Sequence, residues 1–98
     1  MTSLVDLFDL SGKIALTTGS SIGMGRAVAE GLAIAGAKVV ISSRKGDVCE
    51  QTAEEINELC GEQRAIGIAC NIGYKDQLQS LVDQTHERLG QIDILVNN

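Results

Sequence analysis

Residues 18–25 read TGSSIGMG, a glycine-rich stretch between two segments of different character. An aliphatic and β-branched run, residues 13–18, precedes it, and an alanine-rich helical run, residues 26–35, follows it. At such a junction glycines let the backbone turn sharply off a strand, let a pyrophosphate approach, and let helix and strand pack closely. The following helix directs its free N–H groups and positive dipole end at the anion. The context therefore predicts a dinucleotide-phosphate turn, whereas the glycines alone would equally fit an ordinary loop.

Strand-like and helix-like segments alternate along the whole chain. Strands are predicted over residues 13–18, 38–42, 64–70 and 92–96, and helices over residues 23–35, 46–60 and 75–89. This order predicts an α/β fold with a parallel sheet. The strands are near-continuous apolar runs, so we expect helices on both faces of the sheet. Gly36 and Gly90 follow helices and precede strands, where a left-handed cap residue ends a helix.

Two of the predicted helices carry apolar residues at helical spacing, and these stripes should face the sheet. They comprise Cys49, Ala53, Ile56 and Cys60 in the second helix, and Leu78, Leu81, Val82, Thr85 and Leu89 in the third. His86 lies beside the latter stripe and is expected in solvent, because no second histidine, cysteine or carboxylate cluster completes a catalytic or metal site. The 3 cysteines show no C-x-x-C spacing and indicate neither disulfides nor zinc, which fits a reducing cytoplasm.

Composition excludes several classes of function. The chain has 98 residues and is 44% hydrophobic, enough for one small domain with a modest core. A net charge of −5, no basic stripe and only Phe8 and Tyr74 as aromatic residues argue against nucleic-acid binding. No apolar run approaches the ~20 residues of a membrane span, and residues 1–10 lack the basic start of an export signal. We therefore expect a cytoplasmic protein without membrane association.

The residues after the second predicted strand indicate which dinucleotide would bind. A dinucleotide fold places the adenosine ribose there, where Asp or Glu accepts bonds from a free 2′-hydroxyl and Arg or Lys pairs with a 2′-phosphate. This chain has Ser43, Arg44 and Lys45 and no carboxylate, so NADP is favoured over NAD, unless the two cations merely solvate a loop. After the third strand, Asn71 offers a side-chain amide to adenine and Ile72 an apolar face.

Taken together, these motifs resemble the classical short-chain dehydrogenases/reductases. The matching features are the T-G-x-x-x-G-x-G spacing, the lead-in LSGK over residues 10–13, the Ser43-Arg44 pair, and the closing DILVNN over residues 93–98. The resemblance covers essentially the whole chain, and its glycine spacing differs from the G-x-G-x-x-G of long-chain dehydrogenases. It implies a Rossmann-type sheet whose first four strands lie in the order 3-2-1-4. It also implies hydride transfer between a nicotinamide and a carbonyl or alcohol substrate.

The same resemblance assigns the cofactor-binding residues. They are Gly19, Ser21, Ile22, Gly23, Met24 and Gly25 in the pyrophosphate turn, Ser43 and Arg44 at the ribose phosphate, Asn71 and Ile72 at adenine, and Asn98 as a further cofactor neighbour. Asn in place of the more usual Asp at position 71 is a permitted variation. Asn97 and Asp93 are expected to serve the sheet and its adjoining loops.

The family's catalytic residues, a Ser and the Tyr and Lys of Y-x-x-x-K, have no match in this chain. Tyr74 is followed four positions later by Leu78 and reads as a loop residue. Residues 1–98 are therefore expected to be the N-terminal part of a single Rossmann domain, without its catalytic part. The alternatives are an inactive NADP-binding module, and a half-fold that self-associates through its fourth strand. For the full-length enzyme the resemblance implies a small-molecule carbonyl or alcohol substrate and a homo-oligomer.

Overall fold

Four parallel strands form one sheet, as described for residues 8–98 by a computed structural model. The strands are β1 (Ile14–Thr18), β2 (Lys38–Ser43), β3 (Ala65–Ala69) and β4 (Ile94–Asn97), and the helices are α1 (Gly23–Ile34), α2 (Gly46–Cys60) and α3 (Lys75–Arg88). The strand order is β3-β2-β1-β4, and Leu16 of β1 is in register with Val40 of β2 and Leu95 of β4. The predicted α/β Rossmann-type sheet with order 3-2-1-4 is confirmed.

Helices cover both faces of the sheet because successive strand residues point to opposite sides. On one face the buried cluster combines sheet residues with residues of α1 and α2, namely Ala15, Val39, Ile41, Ala65, Ala29, Ala33, Cys49, Ala53 and Ile56. On the other face Leu16, Val40, Ile68 and Cys70 cluster with Leu81 of α3. Coverage is incomplete at β4, where Leu95 is 66% exposed. The expectation that both faces are covered therefore fails at this strand.

The predicted helix stripes are largely confirmed, with one error. In α2 the predicted residues are buried, apart from Cys60, which packs partly buried against the core. In α3 Leu81 and Thr85 are buried, but Leu78 is 36% exposed. Leu78 lies in the first turn of α3, and the packing of α3 against the sheet begins one turn later, at Leu81. The prediction that Leu78 is buried was therefore wrong.

Glycines set two features of the helix–sheet arrangement. Gly36 and Gly90 have φ values of +113° and +117°, which confirms the left-handed breaks predicted after α1 and α3. At Gly67 of β3 an added Cβ would lie 2.6 Å from the carbonyl carbon of Cys49. The backbone of α2 can therefore rest directly on β3 only because residue 67 has no side chain. No helix within residues 8–98 is long and apolar enough to cross a membrane.

Candidate functional site

A pocket of about 560 Å³ opens at the carboxyl ends of the strands. In the order β3-β2-β1-β4 the chain moves from β1 to one side for β2 and β3 and to the other side for β4. Such a reversal in strand order opens a crevice beyond the carboxyl ends of the strands, where open α/β sheets bind ligands. The pocket is lined by Thr18, Gly19, Ser21, Ile22, Ser42, Ser43, Arg44, Lys45, Val48, Cys70, Asn71, Ile72 and Asn98.

The structure brings most of the predicted site residues together in this lining. They are Gly19, Ser21, Ile22, Ser43, Arg44, Asn71, Ile72 and Asn98. The remaining predicted residues, Gly23, Met24 and Gly25, form the first turn of α1 just outside the lining, and the side chain of Met24 is 79% exposed. Thr18, Ser42, Val48 and Cys70 also line the pocket, although sequence reasoning did not select them.

The glycine turn is shaped by tight backbone packing. Gly19 and Gly23 have φ values of +60° and +64°, a region that side chains rarely adopt. Gly25 has a negative φ but almost no room, because a Cβ there would press on the carbonyl oxygen of Gly19 and lie 2.6 Å from Nδ2 of Asn98. The spacing of the glycines thus follows from the path of the turn and from the packing of α1 beneath it.

Hydroxyl groups hold the turn on the sheet. The backbone N–H of Ser42 donates to Ser20 Oγ at 3.0 Å, and Ser20 Oγ donates to the carbonyl oxygen of Thr17 at 2.9 Å. Thr17 Oγ1 donates to the carbonyl oxygen of Val40 at 2.6 Å. From α2, Thr52 Oγ1 donates to the carbonyl oxygen of Ser21 at 3.0 Å. These partners were missed from the sequence, where the only signal was the run of hydroxyl residues around Gly19.

The N-terminus of α1 faces the turn with free donors. Its N-cap residue, Ile22, has no side-chain hydrogen bond to the helix. Among the described helices α1 alone has no acidic residue in its first turn, whereas α2 has Asp47 and α3 has Asp76. The first-turn N–H groups and the positive dipole end are therefore available to an anion.

The end of β4 closes the turn from the other side. Asn98 Nδ2 donates to the carbonyl oxygen of Gly19 at 3.0 Å, and its backbone N–H donates to Thr18 Oγ1 at 3.3 Å. Thr18 Oγ1 in turn donates to Asn97 Oδ1 at 3.0 Å. At the opposite end of the sheet Asp93 Oδ2 accepts from the N–H of Ile14 at 2.9 Å. Asn97 and Asp93 thus serve the sheet, as predicted.

Positive charge is concentrated where β2 ends. Arg44 and Lys45 are exposed, line the pocket, and form no ion pair with any residue in the range 8–98. Ser43 Oγ accepts from the N–H of Lys45 and lies 3.2 Å from Cys49 Sγ. No carboxylate is among the described residues that line the pocket. This part of the site is therefore suited to an anionic group.

Side-chain hydrogen bonds hold the loop that follows β3. Asn71 Oδ1 accepts from the N–H of Gly73 at 2.9 Å, and the N–H of Asn71 donates to Gln77 Oε1 at 2.7 Å. Ile72 presents an apolar side chain that is 53% exposed. Burial raises the pKa of the Cys70 thiol, so this group lines the pocket as a neutral thiol. Tyr74 is exposed at the N-cap of α3 and is not among the lining residues.

The fold and the glycine turn define a Rossmann-type domain. The family model for short chain dehydrogenase matches residues 13–98, and the chain belongs to this family. The resemblance seen in the sequence is thereby confirmed.

Known relatives agree in sequence and in structure. The chain is 42% identical over 94 residues to 2-dehydro-3-deoxy-D-gluconate 5-dehydrogenase of Formosa agariphila, covering 96% of this chain and 35% of that protein. A solved hydroxysteroid dehydrogenase from Escherichia coli superposes with a TM-score of 0.86 at 38% identity, over 93% of this chain and 38% of that one. L-Sorbose reductase from Gluconobacter frateurii, solved with NADPH and L-sorbose, gives a TM-score of 0.87 at 36% identity, over 93% and 34%. The chain spans about a third of the length of the curated relatives it matches.

Proposed function

We propose that residues 1–98 are the cofactor-binding part of an NAD(P)-dependent oxidoreductase of the short-chain type. The enzyme would transfer a hydride between a nicotinamide and the carbonyl or alcohol of a small molecule. The observation that carries this proposal is the glycine turn, with its free helix N-terminus, at the pocket beyond the strand ends. Family membership over residues 13–98 supports it.

The turn fits a pyrophosphate. Gly19 and Gly23 leave the backbone accessible, and Gly25 lets α1 begin directly beneath the turn. Ser21 and Ile22 lie between them and line the pocket. The first-turn N–H groups of α1 would donate to the phosphate oxygens, since no side chain caps them.

The residues after β2 support NADP over NAD. A free ribose 2′-hydroxyl is usually recognised by a carboxylate, and the described lining residues contain none. Arg44, Lys45 and the hydroxyl of Ser43 are instead suited to a 2′-phosphate, which carries negative charge and accepts hydrogen bonds. The preference for NADP therefore rests on these side chains.

We place adenine between Asn71 and Ile72. The bond from the Gly73 N–H fixes the side-chain amide of Asn71, and Ile72 offers an apolar face to a flat ring. Asn98 would act mainly by holding the carbonyl of Gly19, which keeps the turn in shape beside the cofactor.

The bound cofactor supplies or accepts the hydride. The residues of this chain bind and orient it, and the Ser, Tyr and Lys that handle the substrate oxygen would lie outside residues 1–98. Substrate choice would be set by the same outside part. Assembly as a homo-oligomer and a cytoplasmic location stay predictions.

The charge at position 44 gives a direct test of the cofactor proposal. Dissociation constants for NADPH and NADH are measured by fluorescence on the intact protein that carries this chain, with wild type, Arg44→Ala and Lys38→Ala. We expect Arg44→Ala to weaken NADPH binding by about 10- to 100-fold, the range for a hydrogen bond to a charged group. NADH affinity should change little, because NADH lacks the 2′-phosphate.

Lys38 is the matched control, an exposed cation at the opposite end of β2. Its loss should leave both affinities unchanged. A wild-type protein that binds neither cofactor would refute the proposed function. Equal losses for NADPH and NADH in Arg44→Ala would refute the assignment of this residue to the 2′-phosphate. Tight NADPH binding without turnover of any carbonyl or alcohol would favour the inactive binding module.

A further inference from the structure

One buried hydroxyl at the pocket, that of Ser42, is unpaired within the described part of the chain. Ser42 is 1% exposed, and its Oγ has no hydrogen-bond partner among the described residues. Four other buried hydroxyls around the turn have partners: Thr17, Thr18, Ser20 and Thr52 each bond to backbone or side-chain oxygens. Leaving a buried hydroxyl unpaired is unfavourable, so Ser42 needs an explanation.

Its neighbours within the fold are apolar except Thr18, whose hydroxyl is bonded to Asn97 and Asn98. Ser42 lies in register with Thr18 of β1 and Ile68 of β3. Strand alternation puts its side chain on the same face as Val40, where the cluster also contains Leu16, Ile68 and Cys70. These side chains offer Ser42 no strong acceptor. The open space that Ser42 borders is the pocket itself, since Ser42 is one of the lining residues.

The position of Ser42 along the pocket indicates which part of a ligand it meets. Ser43 and Arg44 follow it directly in sequence, and Cys70 and Asn71 directly follow the neighbouring strand β3. In the proposed function Ser43 and Arg44 meet the 2′-phosphate of the adenosine ribose, and Asn71 lies at adenine. Ser42 is thus on the adenosine side of the pocket.

We propose that Ser42 is a further cofactor-binding residue whose hydroxyl hydrogen-bonds a polar atom of the adenosine moiety of the bound dinucleotide. The inference rests on the proposed function and adds a residue that the family motifs did not select. A serine hydroxyl both donates and accepts, so it can pair with a ring nitrogen or with a ribose hydroxyl. Ligand binding would satisfy the unpaired group, and removing the hydroxyl would weaken binding without harming the free protein.

The test separates affinity from stability in the intact protein. Dissociation constants of NADPH, 2′,5′-ADP and nicotinamide mononucleotide, and the melting temperature without ligand, are measured for wild type and Ser42→Ala. We expect NADPH and 2′,5′-ADP to bind about fivefold more weakly, as for one net hydrogen bond, and nicotinamide mononucleotide to be unaffected. The melting temperature without ligand should stay level or rise, because an unpaired buried hydroxyl is gone.

Thr85→Val is the matched control. Thr85 is also a fully buried hydroxyl, but it donates to the carbonyl oxygen of Leu81 at 2.8 Å, away from the pocket. Its loss should lower the melting temperature and leave all three affinities unchanged.

Wild-type affinities in Ser42→Ala would overturn this inference and leave the proposed function standing. A melting temperature that falls together with affinity for every ligand would overturn it as well, since Ser42 would then be structural. A wild-type protein that binds neither NADPH nor 2′,5′-ADP would refute both this inference and the proposed function.

Discussion

Gly25 is the residue of the glycine turn with the least room for a side chain. A Cβ there would press on the carbonyl oxygen of Gly19 and approach Nδ2 of Asn98 to 2.6 Å. The carbonyl belongs to backbone that is itself held in place, because Asn98 Nδ2 donates to it. Neither neighbour can yield without changing the turn that would hold the pyrophosphate.

We therefore expect Gly25→Ala to destabilise the fold by about 1–3 kcal/mol, as for an overpacked site, and to weaken NADPH binding. Gly31→Ala is the control in the same helix, since a Cβ at Gly31 meets nothing within 4 Å. That change should stabilise the protein by about 0.5–1 kcal/mol through helix propensity. Urea unfolding and NADPH titration of both variants measure these effects. If Gly25→Ala were as stable as wild type, the turn would be able to move away from a methyl group, and the expectation would be wrong.

Single residues differ in how far the sequence could predict their place. Ser43, Arg44 and Asn71 could be assigned to the pocket because parallel strands bring their carboxyl ends to one edge of the sheet. Thr52 could not, since its bond to the Ser21 carbonyl depends on how α2 sits beside the turn. Ser42 was missed for a similar reason, because whether a buried hydroxyl finds a partner is decided by packing and not by spacing.

In the packing of the helices on each other and on the sheet, small residues contribute more than ion pairs do. Arg26 Nη2 of α1 lies 2.6 Å from Glu55 Oε2 of α2, but these side chains are 34% and 42% exposed. Such surface pairs typically contribute only about 0–1 kcal/mol. The close approach of helices to the sheet comes instead from Ala29 and Ala33 of α1 and from Gly67 of β3.

Gly67 offers the sharpest test at this scale. An added Cβ would lie 2.6 Å from the carbonyl carbon of Cys49 and 2.7 Å from the backbone nitrogen of Glu50. These are backbone atoms near the N-terminal end of α2, so this part of the helix would have to lift off β3. We expect Gly67→Ala to cost about 1–3 kcal/mol of unfolding free energy in urea denaturation. A variant as stable as wild type would contradict the direct contact between α2 and β3.

The existence and type of every element within residues 8–98 could be predicted, but some of the element ends could not. The strand predicted over residues 92–96 is observed as Ile94–Asn97. Ile92 is apolar because it packs against the core, not because it pairs in the sheet. Asn97 pairs with Thr18 although its side chain is polar, and its amide oxygen accepts a hydrogen bond from the threonine hydroxyl. An apolar run in the sequence indicates burial, whereas the ends of a strand are set by backbone pairing within the sheet.

At the scale of the whole molecule, charge is unevenly placed. The chain carries a net charge of −5, yet the described pocket lining contains Arg44 and Lys45 and no carboxylate. The overall negative charge repels anions at long range, and the pocket cations attract them at close range. Salt screens charges that lie farther apart than a Debye length of about 8 Å at physiological ionic strength, so recognition of an anionic cofactor would depend on these local cations.

The solvent exposure of the three cysteines reflects how tightly the described part of the molecule is packed. Cys49 is fully buried and Cys70 is 3% exposed, whereas Cys60 is partly accessible. Burial raises the pKa of Cys70 above the ordinary thiol value of 9.0. The folded state therefore keeps this proton at pH values where the unfolded chain has lost it. The resulting contribution to stability is complete below the ordinary value and declines as the pH rises above it.

We expect N-ethylmaleimide at pH 8 to label Cys60 of the native protein first, with Cys49 and Cys70 reacting only as fast as the protein opens. Trypsin would leave Cys49 and Cys60 on one peptide, residues 46–64, so fragment-ion mass spectrometry is needed to assign the label. Saturating NADPH should slow labelling of Cys70 further, because this residue lines the pocket that the cofactor would fill. Labelling of Cys70 as fast as Cys60 in the native protein would contradict its burial, because thiolate access governs the rate. Slow labelling that NADPH leaves unchanged would place the cofactor elsewhere while leaving the described core intact.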